Sequence, residues 1–145
     1  MVDSTYPFVL QGGDTTQRLN INEIYMGGEA AVTSPTVTKL ARDGVVGATF
    51  TNAPCTNALM DGSGTAPGTL AKFGHIASTK PQRSATLHLL GLTFNAFGGI
   101  ARWQARFGEE ISVIGNTASL GEVSLSAALG GTPGAMSGHC IYEVA

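Results

Sequence analysis

The sequence predicts an all-β protein, an antiparallel jelly-roll-like β-sandwich with an extended N-terminal arm and one long loop. Apolar and polar residues alternate in five runs, at residues 85–94, 99–107, 109–115, 121–129 and 138–145. Neighbouring side chains of a strand point to opposite faces, so this alternation is typical of strands with one buried face. Glycine-containing breaks separate the runs, and no similar window has apolar residues at helical spacing. About eight or nine strands with short loops fit a sandwich, a jelly roll or a barrel.

The N-terminal region predicts an arm followed by a first strand. Residues 1–15 form the arm, which ends in a glycine turn, and residues 7–11 within it form a short strand or pack on a neighbouring molecule. Residues 16–26 alternate as a strand does, although residues 23–26 fit a helical turn equally well. The strand would carry on one side Leu19, Ile21 and Glu23, and on the other Asn20, Asn22 and Ile24.

A hairpin is predicted next. Residues 33–42 read as a strand, and Asp43-Gly44 favours the positive φ angles of a tight turn, so residues 45–52 would return beside it. Residues 53–69 contain two prolines and a glycine cluster and form the long loop, after which residues 70–80 resume as a strand. We therefore expect a single sandwich domain over residues 16–145.

The charge content is low and favours a homo-oligomer. Charged residues make up 12% of the 145 residues, against about 25% in ordinary soluble domains. A surface with so few charges is most simply explained if other subunits cover part of it, as in a dimer or a trimer. The alternative is a glycine- and threonine-rich β protein that happens to be neutral.

Composition also argues against several partners. The 8 basic residues are scattered and the net charge is −2, whereas nucleic-acid binding relies on clustered Lys and Arg, so no nucleic-acid partner is expected. The apolar stretches are far shorter than the ~20 residues of a membrane helix, and the N-terminus lacks the pattern of a secretory signal. We expect synthesis in the cytoplasm, no membrane partner and no disulfide between the two cysteines, Cys55 and Cys140.

No catalytic, cofactor or metal site is predicted. His139 and Cys140 are adjacent metal-capable residues, but consecutive strand residues point to opposite faces and would not hold one ion. The same geometry separates the carboxylates of Glu109 and Glu110. Cys140, inside an alternating run, is interpreted as a small core residue.

The run at residues 99–107 has two different faces. Ala101, Trp103, Ala105 and Phe107 share one face, which we expect to pack on the core around Trp103. The opposite face carries Ile100, Arg102, Gln104 and Arg106, and arginine is favoured at interfaces between subunits. Together with apolar residues of the arm, these form the candidate interface: Tyr6, Phe8, Leu10, Arg102, Gln104 and Arg106.

The last third of the chain resembles small jelly-roll proteins of tailed bacteriophages. The resemblance lies in residues 121–131 (GEVSLSAALGG) and 136–145 (MSGHCIYEVA), which match a Val-x-Leu-x-Ala strand, a glycine-rich turn and a final Gly-x-x-x-Tyr strand. Several proteins of this kind are cement or decoration proteins, which bind the outside of an icosahedral capsid as dimers or trimers. The resemblance implies a virion location on the capsid surface and the major capsid protein as partner.

Two other classes of function remain open. One is a carbohydrate- or receptor-binding jelly-roll module of a phage attachment structure, which exposed aromatic residues over a concave face would favour. The other is an enzyme on a β-sandwich, for which a cluster of histidine and carboxylate side chains would be needed.

Overall fold

The computed structural model describes residues 8–12, 18–45, 49–52, 60, 71–74, 76–79, 82–114, 122–127 and 135–145. Within these ranges the chain forms strands joined by turns, and no helix among them is long and apolar enough to cross a membrane. The strands are β1 (Phe8–Gly12), β2 (Arg18–Glu29), β3 (Pro35–Val45), β4 (Thr49–Asn52), β5 (Ala71–Gly74), β6 (Ile76–Thr79), β7 (Gln82–Asn95), β8 (Phe97–Gln104), β9 (Ile111–Ile114), β10 (Glu122–Ala127) and β11 (Met136–Val144).

Two antiparallel sheets pack together, which confirms the predicted all-β sandwich. The larger sheet has the strand order β5-β1-β10-β3-β7, and the smaller sheet has the order β11-β2-β8. Strand β9 also pairs with β2, beside residues 18–21, so β8 and β9 follow one another along the same edge of β2. Strands β4 and β6 form a separate two-stranded ribbon.

The core lies between the two sheets. Alternate residues of both sheets supply it, and its fully or almost fully buried side chains are Leu10, Leu40, Leu92, Phe94, Val123 and Leu125 from the larger sheet and Leu19, Ile21, Ile24, Met26 and Val113 from the smaller one. Removing one such side chain from water contributes about 1.5–3 kcal/mol. This core therefore fixes which face of each strand is left to interact with other molecules.

One corner of the sandwich joins the sheets by very short connections. Ala96 alone links β7 of the larger sheet to β8 of the smaller one, and it is fully buried. Its amide donates to the Ser34 carbonyl at 2.8 Å, and its carbonyl accepts from the Ala30 amide at 2.9 Å, so the β2–β3 connection lies against it. A Cβ on Gly28 would stand 2.2 Å from the Ala96 oxygen, so only glycine fits there without displacing backbone.

The predicted arm contains an inner strand of the larger sheet. Strand β1 lies between β5 and β10, with Leu10 opposite Val123 and Phe73, and the Leu10 side chain is fully buried. Of the two interpretations of residues 7–11, the structure confirms the strand for residues 8–11. The rest of the arm, including Tyr6, lies outside the described residues.

The hairpin predicted at Asp43-Gly44 is wrong. Strand β3 continues through both residues to Val45 and pairs with β7, while β4 pairs with β6 instead of returning beside β3. Asp43 is fully buried and accepts a hydrogen bond from the Ser124 hydroxyl at 2.7 Å. This buried contact between β3 and β10 outweighs the local turn preference of Asp-Gly.

Two further predictions in this region have different outcomes. The strand expected over residues 70–80 is divided into β5 and β6, which belong to different sheets. Of the predicted long loop at residues 53–69, all but Met60 lies outside the described residues. The two segments that carry the phage-protein resemblance include β10 and β11, and these strands belong to different sheets rather than to one hairpin.

Candidate functional site

The outer face of the smaller sheet brings polar side chains together from three strands. In the register of this sheet Tyr25 of β2 stands opposite Arg102 of β8 on one side and His139 of β11 on the other. Cross-strand neighbours on one face lie within contact distance, so the three side chains form a row across the sheet. The alternation predicted for β8 is confirmed as far as Gln104: Trp103 packs against the core, and Arg102 and Gln104 face outward.

A β-bulge in β2 places Glu23 on the same outer face. Tyr142 of β11 pairs with Ile21 and Ile141 pairs with Glu23, so Asn22 is an extra residue in β2. One extra residue exchanges the two faces of the strand from that point on. The core residues of β2 are accordingly the odd-numbered Leu19 and Ile21 before the bulge and the even-numbered Ile24 and Met26 after it. The sequence interpretation that grouped Glu23 with Leu19 and Ile21 is therefore wrong.

Glu23 contacts both neighbours of Tyr25 in this row. The Arg102 Nη2 donates to Oε2 of Glu23 at 2.6 Å, and Nε2 of His139 lies 3.0 Å from Oε1 of the same carboxylate. The imidazole also stacks on the ring of Tyr25, with ring centroids 5.1 Å apart and an angle of 7° between the planes. These four residues are called the Glu23 cluster below.

The electrostatics of the cluster follow from this geometry. The Glu23 side chain is only 9% exposed because its partners cover it, whereas the side chains of Arg102 and His139 are 56% and 54% exposed. The hydrogen bond from Arg102, followed by that of His139, lowers the pKa of Glu23, and Glu23 in turn raises the pKa of Arg102. The carboxylate is therefore ionised at neutral pH and holds a guanidinium and an imidazole at the surface of the sheet.

The chemistry available to this face is hydrogen bonding to a polar partner. Both carboxylate oxygens of Glu23 already have partners, while the side chains of Arg102 and His139 remain more than half exposed. Among the described residues no group of three or more side chains is arranged to hold a metal ion. Cys140, adjacent to His139, packs against the core, and burial raises the pKa of its thiol to about 12, so its thiol is unreactive at neutral pH.

The six residues of the candidate interface do not form one surface. Arg102 and Gln104 are exposed neighbours on the outer face of β8, and Arg106 is exposed in the turn that follows this strand. Leu10 lies in the core, and so its side chain does not reach another molecule. Phe8 belongs to β1, and Tyr6 lies outside the described residues.

Sequence reasoning missed three members of the cluster, namely Glu23, Tyr25 and His139. No local signal identifies them, because they come from two strands that are distant in sequence. Glu23 and His139, which are in contact, are separated by 116 positions. Their pairing depends on the register of β11 against β2 and on the bulge. The histidine–carboxylate pair that the enzyme alternative requires is nevertheless present, on an open sheet face.

Large apolar side chains are exposed beside the cluster. Ile100 precedes Arg102 on the same face of β8 and is 63% exposed, and Phe97 at the start of β8 is 60% exposed. Phe107 was expected to share the inner face with Trp103, but β8 ends at Gln104, and Phe107 is fully exposed in the turn before Gly108. The structure thus corrects the predicted face for Phe107, agrees with the outward face predicted for Ile100, and adds Phe97 to the surface of the sheet.

Comparison with protein-family models, with curated proteins and with solved structures finds no match to this chain. The surfaces of the chain itself therefore carry the functional inference.

Proposed function

We propose that this chain is a structural virion protein, a cement or decoration protein that binds the outer surface of an icosahedral capsid between capsomers and stabilises it. In this proposal the two sheets form a jelly-roll-like sandwich that works as a dimer or trimer on the capsid surface. Its partner is the major capsid protein, and it acts without catalysis, cofactor, nucleic acid or membrane.

The observation that supports this proposal is the apolar surface at one corner of the sandwich. Val32 is 71% exposed in the β2–β3 connection, which hydrogen-bonds the β7–β8 connection beside Phe97. Ile100 follows on the strand that leaves this corner. Exposed apolar groups of this size in a chain with only 12% charged residues are typical of a surface that becomes covered in an assembly.

The expected mechanism is preferential binding to the assembled state. A protein that contacts two capsomers at once binds the shell but not its separated parts, so it shifts the equilibrium against rupture. Many copies on a symmetric lattice multiply this effect, and an oligomer gains further because its second contact is intramolecular.

The test is binding to shells assembled from the major capsid protein of the same source. We expect the purified chain to bind these shells and to raise the temperature at which they rupture. Ile100→Ser and Phe97→Ser should each weaken binding by roughly tenfold or more, since burying such a side chain contributes about 1.5–3 kcal/mol. Val37→Ser changes an exposed apolar residue of the other sheet and is the matched control.

A chain that neither binds the shells nor changes their rupture temperature would contradict the proposal. Equal loss of binding in all three serine variants would also count against it, because it would indicate general destabilisation instead of a contact at the corner.

A second candidate, a carbohydrate- or receptor-binding module, is supported by the Glu23 cluster. Its half-exposed guanidinium and imidazole lie beside the aromatic ring of Tyr25, and planar polar groups beside an aromatic ring suit a hydroxyl-rich ligand. Binding of the purified chain to an array of glycans, lost in Arg102→Ala and kept in Ile100→Ser, would favour this candidate over the capsid proposal.

A further inference from the structure

Among the strands that the structure describes, β11 forms one edge of the smaller sheet. At its two ends the amide of Ala145 donates to the Arg18 carbonyl at 2.9 Å, and the carbonyl of Ala135 accepts from the Glu29 amide at 2.8 Å. Alternate residues of a strand bond to opposite neighbours, so the odd-numbered residues of β11 bond to β2. The even-numbered residues present their N–H and C=O groups to the other side, where no strand of the described residues pairs with them.

This edge lacks the usual protection against pairing with another chain. Natural edge strands are commonly short, carry lysine or proline, or contain a bulge. Strand β11 has 9 residues, none of which is lysine, arginine or proline. The bulge of this sheet has its extra residue, Asn22, in β2, and so β11 itself is regular.

We propose that a second copy of this chain pairs antiparallel with the outer edge of β11, with the twofold axis passing through Ile141. In this register Cys140 of one copy pairs with Tyr142 of the other through two hydrogen bonds, and Gly138 pairs in the same way with Val144. On the outer face, His139 of each copy stands opposite Glu143 of the other. An imidazole and a carboxylate therefore meet twice across the twofold axis.

Geometry and charge select this register. The twofold axis must pass through a residue, because only then do the outward-facing amides of one copy lie opposite outward-facing carbonyls of the other. The alternative registers therefore place the axis through a neighbouring residue of β11. An axis through Cys140 would place His139 opposite Ile141, and an axis through Tyr142 would place Glu143 opposite Ile141. In both cases a polar side chain faces an apolar one and the two His139–Glu143 pairs are lost, whereas matched polar side chains directly across two strands are favourable.

The other edge of the sheet is a poorer candidate. Strand β8 begins against the end of β7, where a Cβ on Gly99 would stand 2.5 Å from the Asn95 backbone. The beginning of β8 is therefore held close to the end of β7, to which Ala96 connects it. An axis through the middle of its exposed half, at Arg102, would bring two guanidinium groups together, which is unfavourable.

Pairing of this kind produces a closed dimer with one continuous sheet. A strand that pairs antiparallel with its own copy requires a twofold axis, so the assembly ends at two subunits instead of growing. The axis is perpendicular to the sheet, and so the Glu23 clusters of both copies lie on the same outer face. The inference narrows the oligomer of the capsid proposal to a dimer, and it can be tested separately because the purified chain would dimerise without any shell.

The first experiment measures the molar mass of the purified chain by light scattering over a range of concentrations. We expect a dimer, and we expect Glu143→Lys to raise the dimer dissociation constant at least tenfold because both His139–Glu143 pairs of the interface would be lost. Glu109→Lys makes the same change of charge on an exposed loop and should leave the constant unchanged. A wild-type monomer at all concentrations, or equal effects of the two variants, would overturn the proposal.

The second experiment tests the register in a Cys55→Ser background. Ile141→Cys would place two thiols across the axis in a non-hydrogen-bonded pair, about 4.5 Å apart between Cα atoms, which is within the range that a disulfide spans. We expect mild oxidation to convert this variant to a covalent dimer. Ser137→Cys lies four residues from the axis, so its two copies would be about 26 Å apart and should stay unlinked.

Equal cross-linking of the two cysteine variants, or cross-linking of Ser137→Cys alone, refutes the register. A chain that dimerises as expected but does not bind capsid shells contradicts only the proposed function. A chain that binds shells as a monomer contradicts the dimer and the oligomeric state given in the proposed function, but not the binding to capsids.

Discussion

Replacing Gly28 by alanine tests whether the corner of the sandwich fixes the relation between the sheets. The new Cβ would stand 2.2 Å from the Ala96 oxygen and 2.5 Å from the Asn95 oxygen, both backbone atoms that cannot rotate away. Ordinary contact requires the backbones to separate by roughly 1 Å, as in other overpacked sites, which cost about 1–3 kcal/mol. The two hydrogen bonds of Ala96 would weaken as well, at about 1 kcal/mol each.

We therefore expect the free energy of unfolding to fall by about 3 kcal/mol, measured by urea unfolding at constant m-value. The thermal midpoint should fall by roughly 6–12 °C for a chain of this size. Gly27→Ala is the matched control, because its Cβ would meet only Tyr25 at 3.9 Å, and alanine is about 0.5–1 kcal/mol better than glycine inside a strand. If the two variants unfold within about 1 kcal/mol of each other, the close approach does not constrain the corner.

Three further predictions concern the core, the cluster and the buried thiol. Leu125→Ala removes a fully buried side chain and should lower the free energy of unfolding by about 2–5 kcal/mol, while Val37→Ala, on an exposed face, should cost about 1 kcal/mol or less. The pKa of Glu23 is lower in the folded chain than in the unfolded one, so its stabilising contribution is complete above pH 4.5 and is lost as the pH falls through the folded pKa. Glu23→Gln should therefore reduce the loss of unfolding free energy at acid pH, measured by unfolding curves over a series of pH values. An unchanged acid dependence would contradict the lowered pKa of Glu23. In a Cys55→Ser background, a thiol reagent at pH 8 should modify Cys140 far more slowly in the folded chain than in the unfolded chain. The reason is that a pKa of about 12 lowers the thiolate fraction of Cys140 roughly a thousandfold. Equal rates in the two states would show that the thiol is not buried.

The faces of a regular strand could be predicted from the sequence, as β8 shows. Alternation alone placed Trp103 toward the core and Arg102 and Gln104 outward, and the structure agrees. The prediction failed at Phe107 because alternation does not show where a strand ends. The chain leaves β8 after Gln104 and turns at Gly108, whose φ is 81°, a backbone conformation that favours glycine.

Local turn chemistry was a weaker guide than alternation. Asp43-Gly44 has the composition of a tight turn, yet β3 runs through it because Asp43 accepts a hydrogen bond from Ser124 of β10 inside the protein. Leaving a buried carboxylate without its partner would cost more than the turn preference gains. The partner lies 81 positions away in sequence, so no local window contains the information.

The bulge at Asn22 explains why the core and the Glu23 cluster share one strand. In a regular strand Glu23 would follow Leu19 and Ile21 into the core, where an ionised carboxylate without its partners is strongly unfavourable, and Ile24 would face water. One extra residue resolves both conflicts at once, because Ile24 and Met26 then turn inward and Glu23 turns toward Arg102 and His139. The extra residue is recognisable only when β2 is aligned against β11. The residues on the outer face of the smaller sheet are for this reason determined by strand register. The sequence pattern of β2 alone predicts the opposite arrangement, with Glu23 inside and Ile24 outside.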